Sequence, residues 1–188
     1  MFIYLVTRNQ GKLKAAQNAF TAAGIELRTV EKDYPEIQAD TSLEIAKFTA
    51  LQVTKELNYP AVREDHSLFI HALNYPGPYT NYIEKRVSPE KLLEILSHYS
   101  DRNGHFEVST VYVEPSGETF EYTFQVPMTF GTEVKGENAK GWNGLIRLGE
   151  ETRAITEYPE EERLHLWNQG YQKVADYLAS KAQNLVCS

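Results

Sequence analysis

Phe2-Ile3-Tyr4-Leu5-Val6 is an apolar run that breaks directly into Thr7-Arg8-Asn9-Gln10-Gly11-Lys12. The run has the length and composition of a buried strand. After Lys12, apolar side chains repeat at helical spacing as far as Gly24, which favours a helix end, and a short strand is predicted from Ile25 to Val30. The order strand, helix, strand predicts a βαβ unit, and with it an α/β fold.

The loop between this strand and helix has the features of an anion site. Thr7 supplies a hydroxyl, Asn9 an amide and Lys12 an ammonium beside the predicted helix start. Unpaired backbone N–H groups and the helix dipole favour negative charge there, so phosphate is the ligand that the pattern suggests. An ordinary βα turn in which Asn9 caps the helix explains the same residues equally well. Both interpretations stay open at this point.

Composition limits the class of protein. The chain has 188 residues, 41% of them hydrophobic, and we expect a single domain over residues 1–188. The net charge of −7 and the absence of a dense Lys/Arg run argue against a nucleic-acid polymer as partner, although a local cluster of cations could still bind one nucleotide. The single cysteine, Cys187, allows neither an intrachain disulfide nor a thiolate metal site. We expect no signal peptide, no membrane span and a cytoplasmic location.

The rest of the chain mixes helical and strand patterns. The predicted elements are a helix after Asp40-Thr41-Ser42, a strand from Ala61 with residues 68–73 continuing it or pairing beside it, a turn at Pro76-Gly77-Pro78, a helix from Ser88-Pro89, a hairpin of residues 106–113 and 119–126, and a final helix over about residues 159–181. This alternation supports the α/β class.

Carboxylates near the first loop are candidates for a metal site. Glu44 lies in the first turn of the second predicted helix, and Glu64 and Asp65 lie where we expect the third strand to end. Open α/β sheets bind ligands at the C-terminal ends of their strands, and Mg²⁺ in a polyphosphate site takes one or two carboxylates with water and phosphate oxygens. Singly, Glu44 is explained by the helix dipole and Glu64-Asp65 by a solvated turn. Their combination favours a metal-assisted enzyme.

Several motifs in register resemble one known family. They are Thr7-x-Asn9-x-x-Lys12, Pro35-Glu36 with Glu44 eight residues later, Glu64-Asp65-x-x-Leu68, Ala72-Leu73 and Pro76-Gly77-Pro78-Tyr79. Their order and spacing resemble the inosine triphosphate pyrophosphatase (Ham1-like) family, and a weaker likeness continues through Gly141-Trp142 to the last helix. The resemblance implies an elongated mixed-sheet α/β fold of the Maf/Ham1 type, with a central cleft between two lobes. It also implies a homodimer that hydrolyses non-canonical purine nucleoside triphosphates to monophosphate and pyrophosphate with Mg²⁺.

The resemblance further implies roles for residues at the phosphate end. The residues that would hold the phosphates are Thr7, Asn9 and Lys12. The residues that would bind Mg²⁺ are Glu44 and Asp65, and the attacking water would be positioned by Asp65 or Glu64. Lys12, Glu64 and Asp65 are therefore the candidate catalytic residues. The chemistry is coherent, because positioning and neutralisation of developing charge supply most of the rate in phosphoryl transfer. It needs no covalent nucleophile.

The base-recognition end departs from the family pattern. Relatives carry an aromatic-Gly-aromatic-Asp segment followed by Pro where this chain has Lys140-Gly141-Trp142-Asn143-Gly144, and Ser-His-Arg where it has Trp167-Asn168-Gln169. The cationic donors to the 6-keto oxygen of the purine are therefore replaced, which predicts a changed base preference. The candidate base-binding residues are Lys140, Asn143, Asn168 and Gln169, with Trp142 or Trp167 as the stacking surface. A core position explains either tryptophan as well.

Three functional hypotheses follow. The phosphate-end residues favour a Mg²⁺-dependent nucleoside triphosphate pyrophosphatase whose preferred base differs from inosine. The altered base end keeps two others open. One is a catalytically weak family member that binds a nucleotide or a protein, and the other is a phosphatase or phosphodiesterase acting on another phosphorylated metabolite.

Overall fold

The computed structural model describes residues 1–30, 32–136 and 140–186, with side chains as far as residue 183. Cys187, on which the sequence-based exclusion of disulfides rests, lies outside these ranges. Within them, no helix combines the length and the hydropathy that crossing a membrane requires.

The described residues form a mixed α/β structure. The strands are β1 (Phe2–Leu5), β2 (Glu26–Thr29), β3 (Ala61–Ile70), β4 (Tyr75–Gly77), β5 (Asn103–Val113), β6 (Thr119–Phe130) and β7 (Ile146–Leu148). The helices are α1 (Gln10–Ala22), α2 (Ser42–Leu57), α3 (Thr80–Glu84), α4 (Pro89–Leu96), α5 (Glu160–Trp167) and α6 (Gln169–Val186), with a 3₁₀ turn at Ile155–Glu157. The sheet order is β2-β1-β3-β5-β6-β7, and β4 pairs with β3 beside this path. The predicted α/β class is confirmed.

The N-terminal βαβ unit forms as residues 2–30 predict. β1 runs parallel to β2, with Phe2 opposite Glu26, and parallel to β3, with Leu5 opposite Val62. Asn9 caps α1, and Gly24 follows the helix at a φ of +69°, a left-handed conformation that suits glycine. This arrangement brings the end of β1 beside the start of β3.

Contacts divide the chain into two compact units. Unit 1 comprises residues 1–65, 108–124 and 163–188, and unit 2 comprises residues 66–107 and 125–162. The strands β3, β5 and β6 each contribute residues to both units. All the predicted phosphate-end residues belong to unit 1.

Unit 1 has helices on both faces of its part of the sheet. On one face, α1 and α6 enclose a core that includes Leu5, Phe20, Val62 and Tyr171. On the other, α2 packs through Ala46, Ala50 and Val53 against β1, β3 and β5. Because successive side chains of a strand point to opposite faces, neighbouring residues of β3 enter different layers.

Three predicted boundaries differ from the structure. β3 does not end at Asp65 but continues to Ile70, because β4 pairs with its second half in antiparallel register. Pro76-Gly77-Pro78 is not simply a turn, since Tyr75–Gly77 forms β4 and turns lie on both sides of it. The final helix is interrupted at Asn168, where Asn and the following Gly170 have low helix propensity.

Candidate active site

The loop between β1 and α1 is ordered by its own side chains. The Thr7 hydroxyl oxygen accepts a hydrogen bond from the Asn9 backbone N–H at 3.1 Å. Asn9 Oδ1 accepts from the backbone N–H groups of Gly11 and Lys12 at 2.9 and 3.4 Å. The capping role that the sequence left open for Asn9 is therefore present. It also holds the loop in one conformation next to the start of α1.

Lys12 reaches from α1 to β3. Its Nζ donates to the Glu64 backbone oxygen at 2.9 Å and lies 4.0 Å from Glu64 Oε1, with the Lys12 side chain 15% exposed and that of Glu64 fully buried. Burial lowers the pKa of Lys12, although the charges of Glu64 and Asp65 act in the opposite direction. Burial also raises the pKa of the Tyr171 hydroxyl well above its usual value, and the nearby Glu64 carboxylate adds to this effect. Lys12, Glu64 and Tyr171 thus form one buried group between α1, β3 and α6.

Arg63 and Asp65 lie on the opposite face of β3 from Glu64. Arg63 Nη1 donates to the Val6 backbone oxygen at 2.9 Å, and Nη2 donates to Glu36 Oε1 at 2.8 Å. Asp65 is half-buried, and its charge acts on Lys12. The predicted catalytic trio is therefore brought together around β3, although inside the strand rather than at its end.

A cavity of about 360 Å³ lies beside this part of β3, and we call it the Arg63 cavity. Its lining includes Thr7, Arg8, Glu36, Thr49 and Arg63. Thr7 belongs to the predicted phosphate loop, so the cavity lies next to that loop. All of its lining residues belong to unit 1.

Glu44 takes part in a capping box at the start of α2. Its Oε2 accepts from the backbone N–H of Thr41 at 3.1 Å and from the Thr41 hydroxyl at 2.9 Å, while the Glu44 N–H donates to Thr41 Oγ1 at 3.2 Å. Glu44 is exposed, and it is not among the residues that line the Arg63 cavity. The helix-start role that the sequence allowed for Glu44 is thus present.

The carboxylates of unit 1 offer few ligands for a divalent metal. Among the described residues, no three or more His, Cys, Asp or Glu side chains are grouped closely enough to hold a metal ion. Mg²⁺ commonly takes only one or two carboxylates and completes its shell with water and substrate phosphates. Asp65, and Glu36 with its 60% exposed side chain on the Arg63 cavity, are oxygen donors of this kind. The donor set fits a metal that arrives with a polyphosphate.

Three of the candidate base-binding residues, Trp167, Asn168 and Gln169, lie in unit 1 at the junction of α5 and α6. Asn168 is 4% exposed, and its Nδ2 donates to Asn18 Oδ1 at 2.8 Å. Gln169 is half-buried, and its Nε2 donates to the Leu166 backbone oxygen at 3.2 Å. Trp167 is partly buried against the core that α1 and α6 share. The Asn18–Asn168 bond holds this junction against α1.

The other predicted base-binding residues, Lys140, Trp142 and Asn143, lie in unit 2. Lys140 is exposed and Asn143 half-buried. The Trp142 ring is only 1% exposed, and its Nε1 donates to the Val87 backbone oxygen at 2.8 Å, so the indole occupies the core position that the sequence left open for it. The Trp142 backbone N–H donates to Glu84 Oε1 at 2.8 Å.

Sequence reasoning missed Arg63, Asn18 and Tyr171. An arginine inside the apolar start of β3 was a usable signal, because a charged side chain in a buried strand needs partners. Asn18 and Tyr171 carry no such signal, since a polar residue on a helix and a tyrosine near a helix start are both common. Their partners lie far away in the sequence, as the 150-residue separation of Asn18 and Asn168 shows.

Comparison with known proteins gives the family. The Ham1 family model matches residues 3–172. A protein from Methanopyrus kandleri named dITP/XTP pyrophosphatase is 32% identical over 87% of this chain and 87% of its own length, and a protein of the same name from Thermococcus kodakarensis is 30% identical over 90% and 92%. In fold, a HAM1 protein from Coxiella burnetii matches with a TM-score of 0.81 at 21% identity, covering 96% of this chain and 99% of its own, and the Staphylococcus aureus Ham1 protein matches with 0.78 at 22%, covering 96% and 100%. The chain belongs to the Ham1 family, which confirms the resemblance seen in its motifs.

Proposed function

We propose that this chain is a nucleoside triphosphate pyrophosphatase, which hydrolyses a non-canonical purine triphosphate to the monophosphate and pyrophosphate with Mg²⁺. One observation carries the proposal. Unit 1 holds Lys12, in the first turn of α1, against the Glu64-Asp65 segment of β3, and Thr7 and Asn9 order the loop before that helix. The relatives named dITP/XTP pyrophosphatase support the same activity.

Lys12 supplies the positive charge for the phosphates. An ammonium has three N–H donors, and the Glu64 backbone oxygen accepts one of them. The others can bind phosphate oxygens, whose negative charge grows on the leaving pyrophosphate as the bond to the α-phosphorus breaks. Thr7 and Asn9 assist by fixing the loop before α1, the helix from which Lys12 projects.

Asp65 and Glu64 have different roles near the attacking water. Asp65 is the half-buried carboxylate that water can reach, so it orients the water and accepts its proton. Glu64 is buried beside Lys12 Nζ and keeps that ammonium in place, which makes it a positioning residue. Mg²⁺ would be held by Asp65 together with a second carboxylate. That carboxylate is Glu44 if the family resemblance is followed, or Glu36, which lines the Arg63 cavity. The bound ion would neutralise phosphate charge.

The base end supports a changed preference. Asn168 and Gln169 replace the cationic donors of the family, and Lys140 and Asn143 stand where an aromatic ring and a carboxylate are usual. We expect Gln169→Ala and Asn168→Ala to change the ratio of kcat/KM values between bases more than they change the rate on the best base. Asn18→Ala is the matched variant, because it removes the same hydrogen bond and leaves Asn168 in place. Equal losses on every base in all three variants would contradict this role.

A homodimer and a cytoplasmic location are part of the proposal, supported by the family resemblance alone. Light scattering should give twice the 21.5 kDa mass of one chain.

The deciding experiment measures pyrophosphate and orthophosphate release from a panel of canonical and modified triphosphates, with and without Mg²⁺. We expect Mg²⁺-dependent pyrophosphate release from at least one modified purine triphosphate. Clear binding without turnover on the whole panel would show a catalytically weak binding protein. Release of orthophosphate without pyrophosphate would show a phosphatase instead.

A further inference from the structure

Arg63 is a nearly buried cation that the proposed mechanism has not used. Its side chain is 14% exposed, and its two Nη atoms bond to the Val6 backbone oxygen and to the Glu36 carboxylate. Val6 directly precedes Thr7, so Arg63 connects the start of the phosphate loop with the segment that carries Glu36. A surface arginine would need no such connections.

The guanidinium has unused capacity to bind an anion. Arg63 Nε is buried and has no hydrogen-bond partner among the described residues, although burying a donor without a partner costs free energy. The hydroxyl of Thr49, a residue that is 2% exposed, also lines the Arg63 cavity and likewise lacks a partner in the part of the chain that the structure describes. Both groups can donate a hydrogen bond and belong to residues that line the cavity, so an acceptor that enters the cavity can satisfy them.

The bond between Arg63 and Glu36 is one that a ligand can replace. Its side chain is 60% exposed, so the Arg63–Glu36 pair has one buried cation and one anion that solvent can take over. An exposed carboxylate gains little from an ion pair, because water solvates it nearly as well. A phosphate group gives a buried guanidinium two acceptor oxygens in matching geometry.

We propose that Arg63 is the second cation of the phosphate site, on the face of β3 opposite Lys12, and that it exchanges its bond to Glu36 for the terminal phosphates of a polyphosphate in the Arg63 cavity. The proposal rests on the proposed function for the identity of the natural ligand. Its chemical requirement is wider, since any inorganic polyphosphate presents the same oxygens.

The test measures binding of inorganic tripolyphosphate by calorimetry in the presence of EDTA, so that neither metal nor turnover contributes. We expect Arg63→Ala to weaken binding about tenfold or more, because a charge-assisted hydrogen bond is lost. We expect Glu36→Gln to strengthen binding by roughly threefold or more, because the resident competitor of the phosphate is removed. In the double variant, Glu36→Gln should have no effect beyond that of Arg63→Ala.

Asp33→Asn is the matched control for Glu36→Gln. Asp33 also lines the cavity and pairs with Arg8 at 2.8 Å, but both of those side chains are exposed, at 74% and 67%. The Asp33→Asn substitution removes the same charge but leaves the contacts of Arg63 unchanged, so we expect a smaller gain in affinity for tripolyphosphate. An equal gain from both variants would show that only the net charge of the cavity matters, and would overturn the proposal. Unchanged tripolyphosphate binding in a folded Arg63→Ala protein would also overturn it.

Glu36→Gln keeps the test decisive if Arg63→Ala does not fold, because the Glu36 side chain is exposed. Failure of the proposed function is a separate result. If the wild type binds tripolyphosphate through Arg63 but hydrolyses no nucleotide, only the pyrophosphatase assignment is wrong. If it hydrolyses nucleotides and Arg63→Ala binds tripolyphosphate normally, only the role of Arg63 is wrong.

Discussion

The Lys12 ammonium lies between a backbone oxygen and a fully buried carboxylate, at the point where the first loop meets β3. Its position depends on α1 beginning at Gln10, which places Lys12 in the first turn and directs it across the sheet. A cation in this place is a structural partner of Glu64 and, in the proposed function, a binding group for phosphate.

We expect Lys12→Ala to lower kcat/KM by about 10²-fold or more, the cost of removing one group that stabilises developing charge. Pyrophosphate release measures the effect. Lys14→Ala is the control, since it removes the same charge from the same helix at an exposed position. Equal losses in the two variants, or a Lys12→Ala protein with unchanged turnover, would remove Lys12 from the mechanism.

The lowered pKa of Lys12 predicts a pH effect. Because burial disfavours the charged form, the ammonium loses its proton at a lower pH than an ordinary lysine. Activity that needs this charge is present below that pKa and is lost as the pH rises through it. The pH profile of kcat/KM should therefore show an alkaline decline, and Lys12→Arg, if active, should lack it because a guanidinium keeps its proton. An identical decline in Lys12→Arg would assign the titration to another group.

At the scale of single elements, the start of α2 allows the capping role of Glu44 to be tested separately from its proposed role as a metal ligand. Glu44 closes the capping box with Thr41 through Oε2. A glutamine at this position can also form a capping box, so charge and capping are separable by substitution.

We expect Glu44→Gln to leave the unfolding free energy nearly unchanged and to raise the Mg²⁺ concentration needed for half-maximal turnover, because a metal ligand is lost while the cap remains. Thr41→Ala should do the reverse, with a loss of about 1 kcal/mol in stability and little change in the Mg²⁺ requirement. If Glu44→Gln leaves the requirement unchanged and Glu36→Gln raises it, Glu36 is the ligand and Glu44 only a cap.

In unit 2, the turn before the buried Trp142 requires glycine at position 141. Gly141 has a φ of +55°, and an added Cβ would lie 2.1 Å from the carboxyl carbon of Glu84, the residue that binds the Trp142 N–H. Gly149 has a similar φ of +58° but open space around its Cβ position.

These two glycines form a matched pair for a stability measurement. Gly149→Ala should cost about 1 kcal/mol for the left-handed backbone alone. Gly141→Ala should cost clearly more, because the Glu84 side chain must also move and its bond to Trp142 is lost. Denaturant unfolding measures both values, and equal costs would show that Glu84 adapts freely.

For the whole molecule, ligand binding should appear as increased stability, because a ligand that binds only the folded chain shifts the unfolding equilibrium. At about 100 times the dissociation constant, an α,β-imido analogue of inosine triphosphate with Mg²⁺ should raise Tm by roughly 5–10 °C. The shift should largely disappear in EDTA and in Lys12→Ala. A full shift in that variant would place the binding energy elsewhere in the chain.

Local sequence patterns predicted much of the fold correctly. The caps at Asn9, Thr41 and Ser88 start α1, α2 and α4 as the sequence predicts, because a cap depends on atoms within a few residues. The strand end at Glu64-Asp65 and the unbroken final helix were predicted incorrectly, whereas continuation of the strand by residues 68–70 was one of the two alternatives. β3 extends because a distant segment, Tyr75–Gly77, pairs with it, and Asn168 bonds to a residue 150 positions away.

The sequence by itself determined the α/β class, the βαβ start and the family, since each depends on side-chain type and short spacing. The residues of the phosphate end remain a prediction from the same short spacings. Only the tertiary structure decided which side chain enters which layer. Alternation along β3 directs Glu64 toward Lys12 and Arg63 toward Glu36, and burial then lowers the pKa of Lys12. Such pairings join residues that are distant in sequence, so no local pattern contains them.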